Sequence, residues 1–131
     1  MCLSGSCVAA FPRVYSIRDV SVQVPTRDPN GEAWDAGGGA PDLKLSIMIN
    51  GTEVATAPAV QDQFSARFGG PFDVQLIAGS RLTLMALDED LTADDPAYGC
   101  EANPVTAAHL RERSLACASG GSTLSFEIDP R

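Results

Sequence analysis

The stretch LTLMALDEDLTADDPAYG, residues 82–99, joins a run of apolar residues to a run of acidic ones. Five of its first six residues are apolar, which is typical of a buried strand. Five carboxylates then follow within eight residues: Asp88, Glu89, Asp90, Asp94 and Asp95. Because alternate residues of an extended segment point to the same side, Asp88 and Asp90 face one way, while Asp95 can fold back across the loop. The spacing therefore predicts three oxygen ligands around one hard divalent cation.

The composition predicts one all-β domain. The chain has 131 residues, enough for a single domain with one core. It contains 12 Gly and 9 Pro, and short apolar runs are separated by turn residues, a pattern that favours a sandwich or barrel. The formal net charge is −8, so no basic stripe exists to neutralise phosphates, and nucleic acid is excluded as a partner.

Alternating apolar and polar residues predict where the strands lie. Residues 17–24 and 43–49 have period-two patterns of β-branched and aliphatic side chains. The pair Asn50 and Gly51 is a type I′ turn signal, so the chain is expected to run back antiparallel. The remaining strands are predicted over residues 52–57, 72–77, 81–87 and 123–128. Pro104 is expected at the first position of a short helix.

Residues 25–42, PTRDPNGEAWDAGGGAPD, form a long segment without periodicity. Loops of this length in compact domains are usually functional. The segment carries four carboxylates, on Asp28, Glu32, Asp35 and Asp42. It is therefore the second candidate for a binding loop.

Together, the two acidic segments resemble the calcium-binding loops of the C2 domain family. WDAGGGAPD, residues 34–42, precedes a strand, and LDEDLTADDPAYG, residues 87–99, follows a later one. The resemblance covers residues 17–99, with 123–128 as the last strand. It implies an all-β, eight-stranded antiparallel Greek-key sandwich with its calcium loops at one end, here with a disulfide-linked insertion before the last strand.

The resemblance implies calcium as the cofactor and five carboxylates as its ligands: Asp35, Asp42, Asp88, Asp90 and Asp95. Asp94 is the alternative to Asp95, because the second loop is one residue longer than the family pattern. A backbone carbonyl, such as that of Trp34 or Glu89, is expected to complete the shell. The chain departs from the family in having a single Lys, so it has no counterpart to the family's Lys-rich strand for phosphoinositides.

Two classes of function fit these residues. In the first, calcium bridges the carboxylates to an anionic phospholipid or to a protein partner, with Trp34, Leu91 and Tyr98 as the contacts at the rim. The alternative for Trp34 is that it folds back and caps the sandwich. In the second class, a structural or adhesive sandwich of a cell-surface lipoprotein, calcium only rigidifies the loops. A carbohydrate-binding sandwich is a third candidate, with stacking faces only on Trp34, Tyr15 and Tyr98.

The four cysteines predict an oxidising compartment, because their number is even and none forms a metal-type CxxC pair. Cys100 and Cys117 bracket a polar insertion and are predicted to be bonded. Closing a loop of this size stabilises a fold by roughly 3 kcal/mol.

The N-terminus favours export with a lipid anchor. Cys2 follows Met1 directly, and a mature bacterial lipoprotein begins with the Cys that carries the lipid. Residues 1–16 are accordingly expected to be an N-terminal tail that serves as a lipoprotein linker, and residues 17–131 the C2-like domain. The alternative is a disulfide between Cys2 and Cys7.

Other chemistries find little support in the sequence. The single His, His109, lies in the polar insertion, and no Ser or Cys is related to it by spacing, so the chain is not expected to be an enzyme. An EF-hand at residues 88–99 would need a bidentate Glu at its twelfth position, where Gly99 stands. Zinc is disfavoured because the convergent groups are all oxygens.

Overall fold

The computed structural model describes residues 2–3, 5–35, 39–90 and 94–131. These residues form strands and one short helix in the order β1 (Cys2–Leu3), β2 (Ser6–Cys7), β3 (Arg13–Gln23), β4 (Leu43–Ile49), β5 (Thr52–Val60), β6 (Ser65–Phe68), β7 (Phe72–Leu76), β8 (Leu82–Glu89), β9 (Asp94–Ala102), α1 (Ala107–Glu112), β10 (Ser114–Ser119) and β11 (Ser122–Pro130).

Two antiparallel sheets pack face to face as a sandwich. One sheet has the order β10, β11, β3, followed by β6 and β7, and the other has the order β5, β4, β8, β9. Strands β6 and β7 pair with successive halves of β3 and so share one edge position. Counted in this way, each sheet has four strand positions, and the predicted eight-stranded sandwich is confirmed. Strands β1 and β2 form a separate two-stranded ladder.

The core lies between the two sheets, where alternate side chains point inward. In β8, Leu82, Leu84 and Ala86 are buried, and the residues between them are partly exposed. Buried residues of β4 extend this layer in the same sheet, and the alternation in β11 supplies the facing layer from the other sheet. Full burial of each large aliphatic side chain stabilises the fold by roughly 1.5–3 kcal/mol, so these rows hold the sheets together.

The turn between β4 and β5 confirms the type I′ prediction. Asn50 and Gly51 have φ values of 51° and 82°, and Ile49 pairs with Thr52 across a two-residue turn. Both central residues of a type I′ turn need positive φ, which Asn and Gly adopt most readily.

Helix α1 begins at Ala107, so the predicted start at Pro104 is wrong. The Thr106 hydroxyl accepts a hydrogen bond from the His109 backbone N–H, and the His109 ring accepts one from the Thr106 N–H at 3.0 Å. This capping box places the N-cap at Thr106 and the first helical residue at Ala107, three residues after Pro104, and it engages the imidazole. Within the part of the chain that the structure describes, no helix is long and apolar enough to cross a bilayer.

The strands also differ from the sequence prediction, and two of the differences lie at β10 and β3. The polar insertion contains β10, which pairs along its whole length with β11. Strand β3 begins at Arg13, four residues earlier than expected. Tyr15 on this strand is fully buried, and its hydroxyl donates to the Ala10 carbonyl at 2.6 Å. A fully buried ring has no free face, so Tyr15 cannot stack on a ligand.

Two disulfides are present. The predicted bond between Cys100 and Cys117 is confirmed, and it joins β9 in one sheet to β10 in the other. Cys2 and Cys7 are also bonded, across the β1–β2 ladder. A sulfur in this bond is not free to carry a lipid thioether, so the structure contains the disulfide alternative at Cys2.

Candidate metal centre

The antiparallel pairing brings the acidic segments to one end of the sandwich. Leu43, the first residue of β4, pairs with Val60 near the end of β5 and with Asp88 near the end of β8. The segment that enters β4, the turn that leaves β5 and the end of β8 therefore lie side by side. This proximity follows from sheet register and not from nearness in the sequence.

Asp88 occupies the last inward-facing position of β8, after the apolar row that ends with Ala86. Its side chain is only 2% exposed. One of its carboxylate oxygens accepts a hydrogen bond from the Asp42 backbone N–H at 3.0 Å, and the Glu89 N–H donates to the Asp42 carbonyl at 2.9 Å. These bonds fix the start of β4 against the end of β8, with the Asp88 carboxylate at the open end of the core.

Five carboxylates converge at this end in two overlapping groups. Oxygens of Asp35, Asp88 and Asp90 all lie within 4.8 Å of one another, and so do oxygens of Asp35, Asp42 and Asp62. Asp35 belongs to both groups. The Asp62 backbone N–H donates to the Asp42 carboxylate at 2.8 Å, which fastens the turn after β5 to the segment before β4. A set of oxygen donors from three segments matches the coordination that a hard cation takes.

The carboxylates perturb one another. Burial, together with the negative charges of Asp90, Asp35 and Asp42, raises the pKa of Asp88 to about 6, although the Asp42 N–H partly offsets this. Burial and the charges of Asp42 and Asp62 raise the pKa of Asp35. Both raised pKa values mean that the ionised form of the carboxylate is unfavourable at this site without a neighbouring cation.

Asp94 and Asp95, which the sequence left as alternatives, have different partners. The Lys44 ammonium lies 2.5 Å from the Asp94 carboxylate, and this contact raises the pKa of Lys44. Loss of solvation, and after it the hydrogen bond with Asp95 and the negative charge of Asp95, raise the pKa of Asp90. The geometry thus brings Asp95 beside the carboxylate groups and engages Asp94 in an ion pair.

The predicted rim residues lie close to the sandwich. The Trp34 indole N–H donates to the Pro25 carbonyl at 2.9 Å, and its partly buried ring packs against the core, which matches the folded-back alternative. Tyr98 is also partly buried, on β9. Leu91 lies outside the described residues. Contact of these residues with a membrane or partner stays a prediction.

Asp62 is the member of the site that the sequence did not reveal. It stands alone between two polar residues in the turn from β5 to β6, with φ of 51°. The only sequence signal at this position is an Asp in a tight turn after a strand, where Asp tolerates positive φ. This arrangement is common in any protein, so it does not identify a metal ligand. Its role depends on the pairing of β4 with β5, which brings the turn to Asp42.

Solved structures of C2 domains share this fold. A structure described as that of a C2 domain has a TM-score of 0.68 and 15% identity, over 90% of this chain and 97% of the other. The calcium-bound C2A and C2B domains of extended synaptotagmin 2 give 0.67 and 15%, over 91% of this chain and 45% of the other. The C2A domain of a plant extended synaptotagmin 1 gives 0.64 and 10%, over 92% and 95%.

The chain therefore has the C2-domain fold. Identities this low establish a likeness of fold. The chain spans about half the length of the matched two-domain fragment of extended synaptotagmin 2, which corresponds to one such module. No family sequence model and no curated protein matches the chain.

Proposed function

We propose that this chain is a calcium-binding module whose loaded site attaches to an anionic partner. The proposed ligands are the carboxylates that converge at the loop end: Asp35, Asp42, Asp62, Asp88 and Asp90, with Asp95 beside them. The observation that carries the proposal is that carboxylate oxygens from separate segments lie within 4.8 Å of one another in each of two groups, which share Asp35. An isolated acidic loop would not gather its charges in this way.

Calcium would supply the positive charge that the carboxylates lack. It accepts six to eight oxygen ligands in flexible geometry, which suits donors that come from loops. For an extracellular module, an affinity of order 10⁻⁴ to 10⁻³ M is expected. The likeness to a C2 pair that was solved with calcium bound supports calcium over other cations.

The proposed partner is an anionic phospholipid surface. With a formal net charge of −8, the protein is repelled by such a surface when no cation is present. Bound calcium lowers this repulsion at the loop end and can take phosphate oxygens as further ligands. Attachment is thus conditional on calcium.

Sedimentation with phosphatidylserine vesicles, with calcium or with a chelator, tests the proposal. Pelleting that requires calcium and disappears in an Asp88→Asn, Asp90→Asn double variant is the expected result. A calcium-induced rise in melting temperature without pelleting would instead favour the second candidate, a calcium-rigidified structural or adhesive sandwich. If calcium changes neither the pelleting nor the melting temperature, the protein is not a calcium-binding module.

We also propose that the protein is exported. Bonds between both pairs of cysteines support an oxidising compartment, since such bonds rarely persist in the cytosol. Lipidation of Cys2 requires the Cys2–Cys7 bond to be absent. Intact mass measurement of the protein from its native host distinguishes the two states, because an acyl-modified Cys2 adds several hundred daltons and leaves Cys7 free.

A further inference from the structure

A second concave site lies beside the metal centre but does not include its carboxylates. It is a cavity of about 440 Å³ between the segment that leaves β3, the start of β9 and the β10–β11 turn. Its lining includes Trp34 and Tyr98, and also Pro25, Asp28, Ser119 and Ser122. Cavities of this volume are within the range that takes small organic ligands.

Polar groups in this lining are left without protein partners. Among the described residues, the hydroxyls of Tyr98, Ser119 and Ser122 make no hydrogen bond within the chain. Asp28 accepts two backbone hydrogen bonds on one carboxylate oxygen, from Asn30 and Glu32 at 2.9 Å each. Its other oxygen has no partner in the described part of the chain. Three hydroxyls and a carboxylate oxygen thus border the aromatic surface.

The walls are held in place before any ligand arrives. Ser119, the last residue of β10, pairs with Ser122, the first residue of β11. The two-residue turn between them consists of Gly120 and Gly121, which both have positive φ. A Cβ on Gly121 would lie 3.7 Å from the Pro25 ring, so the turn stands directly against the opposite wall.

The opposite wall is fixed by a hydrogen bond at each end. The Trp34 indole N–H is bound to the Pro25 carbonyl at 2.9 Å, which closes the base of the loop. Further along, the Asp28 N–H donates to the Glu32 carbonyl at 2.8 Å. A preorganised site of this kind binds with less loss of conformational entropy.

We propose that this cavity binds a hexopyranose ring. A pyranose has an apolar face of C–H groups, which packs on an aromatic ring, and an equatorial rim of hydroxyls that both donate and accept. The Trp34 and Tyr98 rings match the face, and the free hydroxyls with the Asp28 carboxylate match the rim. None of the described residues that line the cavity is basic, so a free anion finds no counter-charge among them. The site does not require calcium and is separate from the proposed metal function.

The main competing ligand is a small organic cation. Aromatic rings beside a carboxylate also attract quaternary ammonium groups. However, such a cation makes no use of three unpaired hydroxyls, whereas a sugar satisfies them. The experiment therefore includes tetramethylammonium chloride as a separate probe.

Titration of the ¹⁵N-labelled full chain by NMR, in the presence of a chelator, tests the proposal. The probes are methyl glycosides of glucose, mannose and N-acetylglucosamine. At least one glycoside is expected to give saturable shifts confined to the Trp34 indole N–H, Tyr98 and residues 119–122. Ser119→Ala and Tyr98→Phe each remove one hydroxyl, and each is expected to weaken binding roughly threefold to tenfold, the effect of one hydrogen bond.

Ser125→Ala is the matched control, because Ser125 is exposed on β11 and does not line the cavity. It is expected to leave the affinity unchanged. The proposal is overturned if no glycoside gives saturable shifts, if only tetramethylammonium does so, or if the control weakens binding as much as Ser119→Ala.

Discussion

Acidic side chains occupy two regions of this sandwich under opposite conditions. At the surface formed by β3 and β11, Asp129 accepts hydrogen bonds from Arg18 at 2.7 Å and from Arg113, and Arg18 also lies 3.1 Å from Glu127. At the loop end, the carboxylates of Asp35, Asp42, Asp62, Asp88 and Asp90 approach one another instead. Across the described residues, none of these five has an ion pair with Lys or Arg.

The difference shows where the chain's own arginines neutralise its carboxylates and where the positive charge has to come from solution. Two like charges about 4 Å apart repel by roughly 1 kcal/mol in bulk water and by about 4 kcal/mol near a protein surface. The arginines cancel this cost in the first region. In the second, the described residues offer no cationic partner, so the repulsion is relieved by proton uptake or by an external cation, and the second of these is the physical reason to assign a metal there.

The largest expected effect is the loss of calcium affinity when the second region is neutralised. Asp88→Asn with Asp90→Asn removes two charges from one group of ligands and is expected to lower the affinity at least ~100-fold, or about 2.8 kcal/mol. Calorimetric titration measures it. The matched control is Asp129→Asn in the first region, which is expected to leave the affinity unchanged; equal losses in both variants would contradict the assignment.

The next effect is on the pH dependence of stability without calcium. The pKa of Asp88 is about 6 in the folded protein against an ordinary 3.8, so between these values the folded state binds more protons than the unfolded state. Stability therefore falls as the pH rises through this window, by up to ~3 kcal/mol for a shift of this size. Urea unfolding at pH 4 to 7 with a chelator measures the slope.

Asp88→Asn is the control for that slope, because its amide does not titrate. It is expected to be less pH-dependent than the wild type over the same window. Identical slopes in the two proteins would show that Asp88 is not the group responsible. Saturating calcium is expected to reverse the sign, since protonation then competes with the metal.

A smaller effect is expected in the first region. Asp129→Asn removes the negative charge that pairs with Arg18 and Arg113 and replaces one of the two acceptor oxygens with a donor, so it is expected to destabilise the fold by about 1 kcal/mol, the upper range for partly exposed ion pairs. Denaturant unfolding with and without calcium measures it, and the loss is expected to be the same in both. A loss that appears only with calcium would mean that the two regions are coupled.

The smallest effect is expected at Lys44, the cation paired with Asp94 beside the loop end. Lys44→Gln removes a positive charge that repels calcium and is expected to raise the affinity about twofold to threefold. Lys44→Arg keeps the charge and serves as the control in the same titration. A fall in affinity with Lys44→Gln would show that the ion pair with Asp94 is needed to position the ligands.

The sequence predicted those parts of the fold that depend on local patterns. Period-two alternation located β4, a run of apolar residues located β8, and Asn50 with Gly51 identified the hairpin, because burial and turn conformation act over a few residues. Strand β10 was missed because its sequence, SLACAS, has small and polar residues and only two partly buried positions. An edge strand with one neighbour needs little apolar surface, so its pattern is faint.

The metal centre was predictable only in part for a related reason. Asp88 near the end of β8 and Asp90 just after it are two residues apart, so their shared side followed from the alternation of an extended segment. Asp35 with Asp42 followed from the family pattern. Asp62 required the register between β4 and β5, and the contrast between Asp94 and Asp95 required the position of Lys44. These are relations between strands, which a linear pattern does not encode.

Anomalous diffraction from crystals grown with calcium tests the central claim most directly. The account predicts a peak between Asp35, Asp88 and Asp90, with carboxylate oxygens at roughly 2.3–2.6 Å. A second peak near Asp42 and Asp62 would fit the second group. Crystals with millimolar calcium and no peak within reach of these carboxylates would contradict the account.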